Sequence, residues 1–210
     1  MQGHLEGAIR QSNAQYHDPD FLSRLEIKLL ESSPGDKGWE IFMLDYRVQD
    51  LAPLATVFTD EIMESYKKIF NFLWRLKRIE HQLSQSWRTN QEHVQKFERI
   101  RGMKNIFHRF NLCHHEMLHF VSTIHNYIMV EVLESAWKLY QDDLNNTVGD
   151  LDQLMEVQRR FVNSIMNKAL LNENNNTLYR SLLKLLNQVF TFTYKKVQFF
   201  YPSALAEHAR

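Results

Sequence analysis

Thr59-Asp60-Glu61-Ile62-Met63-Glu64-Ser65-Tyr66-Lys67-Lys68-Ile69-Phe70-Asn71-Phe72-Leu73-Trp74-Arg75-Leu76 carries apolar residues at three- and four-residue steps. Ile62, Tyr66, Ile69, Phe70, Leu73 and Leu76 then fall on one face of a helix, and Thr59 is placed to cap its first turn. The pattern predicts one long amphipathic helix from Thr59 to about Arg88. A second series, with Ile106, Phe110, Cys113, Met117, Phe120, Ile124 and Ile128 on one side, predicts a helix from Met103 to Tyr140. Two more follow over Leu151–Leu171 and Thr177–Phe200, parted by the polar turn Asn172-Glu173-Asn174-Asn175-Asn176. Long helices with short connections make an antiparallel bundle.

Upstream, the reading changes. His4–Ala14 is helical without a preceding cap, so the chain reads as starting inside a larger domain. Asp18-Pro19 is a cap followed by the residue best suited to the first helical position. Leu25-Glu26-Ile27-Lys28-Leu29 alternates with period two, and Trp39–Val48 is aromatic and β-branched. The turn formers Ser33-Pro34-Gly35-Asp36-Lys37-Gly38 lie between them, which predicts a β-hairpin. Gly35-Asp36-Lys37-Gly38 lacks the spacing of a phosphate loop. The expected class is mostly α: residues 1–58 form a truncated helical piece plus the hairpin, and 59–210 form the bundle.

Composition agrees with that class. A chain of 210 residues with 44% hydrophobic residues can bury one sizeable core, and 6 Gly and 4 Pro leave few breaks. The lone Cys113 cannot pair internally, and no leader-like segment opens the chain, so a cytosolic or nuclear protein is expected. No apolar run is long enough to span a membrane. The formal charge of zero hides an asymmetry. Lys67–Arg109 is rich in Lys and Arg, whereas Glu131–Glu156 sets seven acids against Lys138 alone. Either the two segments neutralise each other within the fold, or the basic one meets an acidic partner.

His115-Glu116-Met117-Leu118-His119 matches the His-Glu-x-x-His pattern, in which two helical histidines hold Zn²⁺ beside a glutamate base. His125 even stands where a third ligand follows in one protease class. That class, however, needs a helix-breaking glycine where this chain has Ser122. On an unbroken helix His125 points about 80° away from His115, because each residue turns by ~100°. The motif is therefore read as coincidental, with His119 a polar tip on a half-buried face. Cys113 reads as core, since no neighbour in sequence lowers its pKa.

A longer pattern resembles a known family. Arg24–Glu31, Ser33–Asp36, Gly38-Trp39, Phe42–Tyr46, Pro53–Thr59 and Phe70–Arg78 are similar, in order, to the second GRIP domain of gamma-tubulin complex components, as are Glu116–Phe120 and Glu131–Trp137. The resemblance runs from Gly7 to Leu171 and is nearest to the component-three type. One departure is Asp50-Leu51-Ala52-Pro53, a residue longer than the tight Asp-Gly-Pro of relatives. The resemblance implies a helical C-terminal domain that grips gamma-tubulin, with no enzymatic activity and no cofactor. It further implies assembly with other gamma-tubulin complex components in the cytoplasm and cytoskeleton, at a microtubule-organising centre such as a centrosome or spindle pole body, with neither nucleic acid nor membrane as partner. Trp39, Phe42, Leu44, Tyr46, Phe70, Leu73 and Trp74 read first as packing residues. Exposed basic and turn residues are the better interface candidates: Pro53, Leu54, Thr56, Phe58, Arg75, Lys77 and Arg78. Two other readings share the composition: a helical scaffold for a different protein, and a zinc hydrolase built on His115, Glu116 and His119.

Overall fold

In a computed structural model, residues 2–29, 42–48, 52–97, 103–172 and 176–207 are described. Eight α-helices and one hairpin appear among them: α1 Gln2–Arg10, α2 Pro19–Ser23, β1 Leu25–Leu29, β2 Phe42–Tyr46, α3 Ala52–Val57, α4 Asp60–Phe97, α5 Met103–Asn126, α6 Ser135–Asn146, α7 Leu151–Lys168 and α8 Asn176–Glu207. The expected class holds: the chain is mostly α, built of long helices with a small antiparallel hairpin near its N-terminus. The expected turn Ser33–Gly38, with Trp39, lies outside the described residues, as does the middle of the Asn172–Asn176 turn.

Local chemistry sets the element boundaries. Asp18 accepts the Asp20 N–H at 3.0 Å, with Pro19 opening α2. The Thr59 hydroxyl faces the Ile62 N–H at 3.5 Å, at the start of α4. Before α7, Asp150 accepts the Gln153 N–H while the Gln153 side chain accepts the Gly149 N–H, each at 2.8 Å. This reciprocal pairing satisfies donors that a helix start leaves open. α7 ends three residues before the expected Leu171, because Leu170 adopts a left-handed backbone (φ 62°). The Leu171 N–H then turns back to the Met166 carbonyl at 2.8 Å, a Schellman-type closure.

Other features also differ from the periodicity reading. α4 runs to Phe97, past the expected end at about Arg88, and α8 runs past Phe200 to Glu207, while α3 adds a short helix over Ala52–Val57 for which no helix was expected. The helix expected over Met103–Tyr140 does run without a break to Asn146, but Tyr127–Glu134 is π-helical. Ile128, Val132 and Ala136 are all buried at a strict spacing of four. On an α-helix that spacing drifts by ~40° per step, and a wider turn reduces the drift.

The helices gather in two compact units, each made of two stretches of chain. The first holds residues 1–74 and 135–171, the second 75–134 and 172–210. In the first, β1 and β2 pair antiparallel with Ile27 opposite Leu44, and α6 and α7 pack as a helical hairpin. There Phe161 meets Tyr140 and Trp137 at ring distances of 4.6 and 6.1 Å. Val57, Ile62, Ile69, Phe72, Val157, Val162 and Ile165 form its core. In the second, Leu76, Ile79, Leu83, Phe107, Val121, Leu186 and Val189 are buried, and Phe110 stacks on Phe192 at 4.9 Å.

Candidate protein-binding site

The hairpin is held to the start of α4 by one carboxylate. Asp45 on β2 is nearly buried, and its Oδ2 lies 2.6 Å from Lys28 Nζ on β1 and 3.3 Å from Lys67 Nζ on α4. Its Oδ1 accepts the Tyr46 N–H at 3.0 Å. Burial pushes this carboxyl up, but the bonds from Lys28, Tyr46 and Lys67 outweigh it and hold the group below the usual carboxylate range. Lys28 is raised in turn, chiefly by its hydrogen bond to Asp45. Arg47 pairs with Glu26 at 2.8 Å across the same hairpin.

Beside this cluster lies a cavity of about 480 Å³ between α2, the hairpin, α3 and the first turns of α4. Phe21, Leu44, Val48, Leu54, Phe58, Met63 and Phe70 are among its apolar walls, with Asp45 and Lys67 its charged part. Phe21 and Leu54, exposed by 46% and 43%, carry the apolar surface outward. Tyr66, also in the wall, accepts a hydrogen bond from Gln158 Nε2 at 2.9 Å, and burial pushes its phenol up to about 12.

The interface candidates fall in both units. Leu54 and Phe58 line the cavity, and Thr56 is exposed on α3. Pro53 lies in the same short helix. Arg75, Lys77 and Arg78 belong to the second unit. There Lys77 is exposed and bonds Glu80 at 3.0 Å, while Arg75 and Arg78 are half-buried and have interactions of their own. Among the motif residues read as packing, Leu44, Tyr46, Phe70, Leu73 and Trp74 are half-buried; Phe72, one step away, is buried.

Part of the acidic segment has ion partners on α7: Asp143 of α6 lies 3.6 Å from Arg160, and Glu156 lies 3.6 Å from Arg159 three residues on.

At the His-Glu-x-x-His motif, α5 continues through Ser122 without a break, and His115 and His119 are both exposed. His125 sits 3.9 Å from Glu80. Among the described residues, no group of three or more His, Cys, Asp or Glu could hold a metal ion. His119 itself is exposed, and the polar tip expected of it is found five residues earlier. His114, buried at 1% exposure, bonds the Leu83 carbonyl at 2.9 Å through Nε2 and stacks on Trp87 at 5.5 Å. Since the carbonyl only accepts, Nε2 carries the proton. Cys113 is half-buried, in keeping with a packing role. Among the described residues, no helix is long and apolar enough to cross a membrane.

Comparison with known proteins bears on this arrangement as a whole. The sequence profile of the family described as "Gamma tubulin complex component C-terminal" matches residues 1–209. The chain belongs to this family. Among relatives of this family member, an Arabidopsis thaliana protein named gamma-tubulin complex component 3 is 37% identical over 200 residues, which cover 91% of this chain and 24% of the relative. A Homo sapiens protein of the same name is 37% identical over 192 residues, covering 90% and 20%. The spindle pole body component alp6 of Schizosaccharomyces pombe is 39% identical over 194 residues, covering 90% and 23%. The chain thus spans about a fifth to a quarter of the length of the curated relatives it matches.

Proposed function

We propose that this family member is the gamma-tubulin-binding part of a gamma-tubulin complex component of the third type. In this reading it is a non-enzymatic protein that works with other components of the complex, in the cytoskeleton at microtubule-organising centres, to hold gamma-tubulin for microtubule nucleation. The observation that carries the reading is the family match over residues 1–209, to the C-terminal portion of these components. The names of the similar plant, human and yeast proteins support the choice of the third type and of a spindle-pole setting.

The site chemistry suits a protein partner. The first unit offers a partly open apolar recess at Leu54 and Phe58, and the second, by itself, offers cations at Arg75, Lys77 and Arg78. Apolar anchors and arginines dominate the energetics of protein interfaces. A tubulin-like surface is expected to be acidic, which suits the basic side chains of α4.

The test is a pull-down of purified gamma-tubulin by the purified chain. Saturable capture is expected. A folded chain that captures no gamma-tubulin would leave the helical-scaffold reading in its place.

A further inference from the structure

The first half of α8 carries charge of one sign. From Thr177 to Thr193 its charged side chains are Arg180 and Lys184, with no Asp or Glu in the stretch. Both cations are exposed, and among the described residues neither has a carboxylate within ion-pairing distance. They border an open groove of about 400 Å³ along this helix, together with Leu183, Asn187, Gln188 and Thr191. Thr191 is occupied within the helix, since its hydroxyl donates to the Asn187 carbonyl at 2.8 Å. The side-chain amides of Asn187 and Gln188 have no partner among the described residues. The recess of the first unit is different, because Asp45 already meets both of its lysines.

A face with two unpaired cations and two free amides complements an anion with more than one charged group. Spacing narrows the choice. Arg180 and Lys184 stand one turn apart, about 6 Å along the axis. An extended peptide rises about 3.3 Å per residue and turns every second side chain to the same side, so acids two positions apart repeat at nearly that distance. Arg180 can pair with a carboxylate through two parallel bonds. No aromatic ring is among the described lining residues, so the bases of a nucleic acid would find no stacking platform there.

We infer that this groove docks an acidic segment of another protein in extended form, with carboxylates at alternate positions paired to Arg180 and Lys184. The Asn187 and Gln188 amides then bond the segment's backbone, and half-buried Leu183 packs on its aliphatic atoms. The inference does not rest on the gamma-tubulin reading, because α8 lies beyond Leu171, where the motif resemblance ends.

Binding of a labelled peptide of alternating Glu and Ser to the full chain, followed by fluorescence anisotropy, tests this. Saturable binding that weakens with added salt is expected, and a Gln-Ser peptide of the same length should not bind. The double variant Arg180→Gln with Lys184→Gln should raise Kd about tenfold. Gln188→Glu should also weaken binding, since it sets a carboxylate one turn from Lys184. Lys138→Gln with Lys168→Gln removes two exposed charges from α6 and α7 and should leave Kd unchanged. Circular dichroism and urea midpoints check folding, and Gln188→Glu decides alone if the first double variant does not fold. Equal weakening in both double variants would overturn the assignment in favour of general charge attraction, and so would a folded wild-type chain that binds no peptide. Tighter binding of a single-stranded oligonucleotide, lost with Arg180 and Lys184, would overturn it in favour of a nucleic-acid groove.

Discussion

Tyr66 shows how one buried polar contact ties the first unit together. Its oxygen accepts from the amide of Gln158, which is 1% exposed, so a Tyr66→Phe variant leaves that amide without its partner. An unpaired buried donor costs about 1–3 kcal/mol, which urea unfolding near neutral pH should reveal. Burial also raises the phenol from 10.0 to about 12, so in alkali the unfolded chain loses this proton before the folded one does. The folded state is therefore favoured by Tyr66 only until the pH rises through that window. The stability gap between wild type and Tyr66→Phe should shrink by about 1 kcal/mol between about pH 8 and about pH 11. A gap independent of pH would show that the phenol is not held protonated by the fold. At this scale the sequence was only partly legible. Periodicity put Tyr66 on the inner face of its helix, but gave no sign of Gln158, whose polar side chain lies 92 positions further along the chain. The histidines failed differently. His114, His115 and His119 are alike in composition, and only the phase of α5 against α4 makes the first a buried donor and leaves the others in solvent.

The elements follow the sequence where a local rule governs them. Period-two alternation located β1, the Asp18-Pro19 pair located α2, and three- and four-residue steps located α4 to α8. The inner face of α4 was assigned with an error of phase. The buried series is Ile62, Ile69, Phe72, Leu76, Ile79 and Leu83, close to a seven-residue repeat, and Phe72 takes the place expected for Phe70 and Leu73. Adjacent Phe70, Phe72, Leu73 and Trp74 are all apolar, so hydropathy alone does not fix the phase there. The π-helical turn and α3 carry no comparable local signature. Docking of the hairpin on α4 depends on Asp45, and Asp45→Asn removes the shared counter-charge of Lys28 and Lys67. The expected loss at neutral pH is about 1–2 kcal/mol, discounted because Lys28 is largely in water. A carboxyl held below its usual range stabilises the fold above that range and ceases to do so as pH falls through its folded pKa. The wild-type advantage should thus vanish in strong acid, as urea midpoints will show. On the basic part of α4, reversing Arg75, Lys77 and Arg78 to Glu should weaken gamma-tubulin binding, and added salt should slow association of the wild type. Because Lys77 faces Glu80, reversal also places like charges three residues apart, at a cost of a few tenths of a kcal/mol. Helicity by circular dichroism must accompany the binding measurement. Unchanged affinity in a folded triple variant would move the interface off this helix.

For the whole molecule, family resemblance was more informative than any single motif, because an ordered set of motifs along the chain is harder to meet by chance than five residues around a histidine pair. Physical periodicity alone reached the helical class and stopped there. Under the proposed function, this chain grips gamma-tubulin, and a chain that grips without arraying it should act as a competitor. Added in excess to an assay of microtubule nucleation with gamma-tubulin, the chain should lower nucleation as its concentration passes Kd. Stimulated nucleation with ring-like particles would show that this region assembles laterally by itself. The two units also bear on the way the protein is made. Each is assembled from two separated stretches, and the chain passes from one to the other at Trp74–Arg75, Glu134–Ser135 and Leu171–Asn172. A ribosome working from the N-terminus has made α4 and α5 before the α6 and α7 hairpin that completes the first unit, and that hairpin before α8. Neither core can close over a continuous piece of nascent chain, so α4 emerges with apolar faces for both units still uncovered. Early engagement by chaperones is the cost of that order of synthesis.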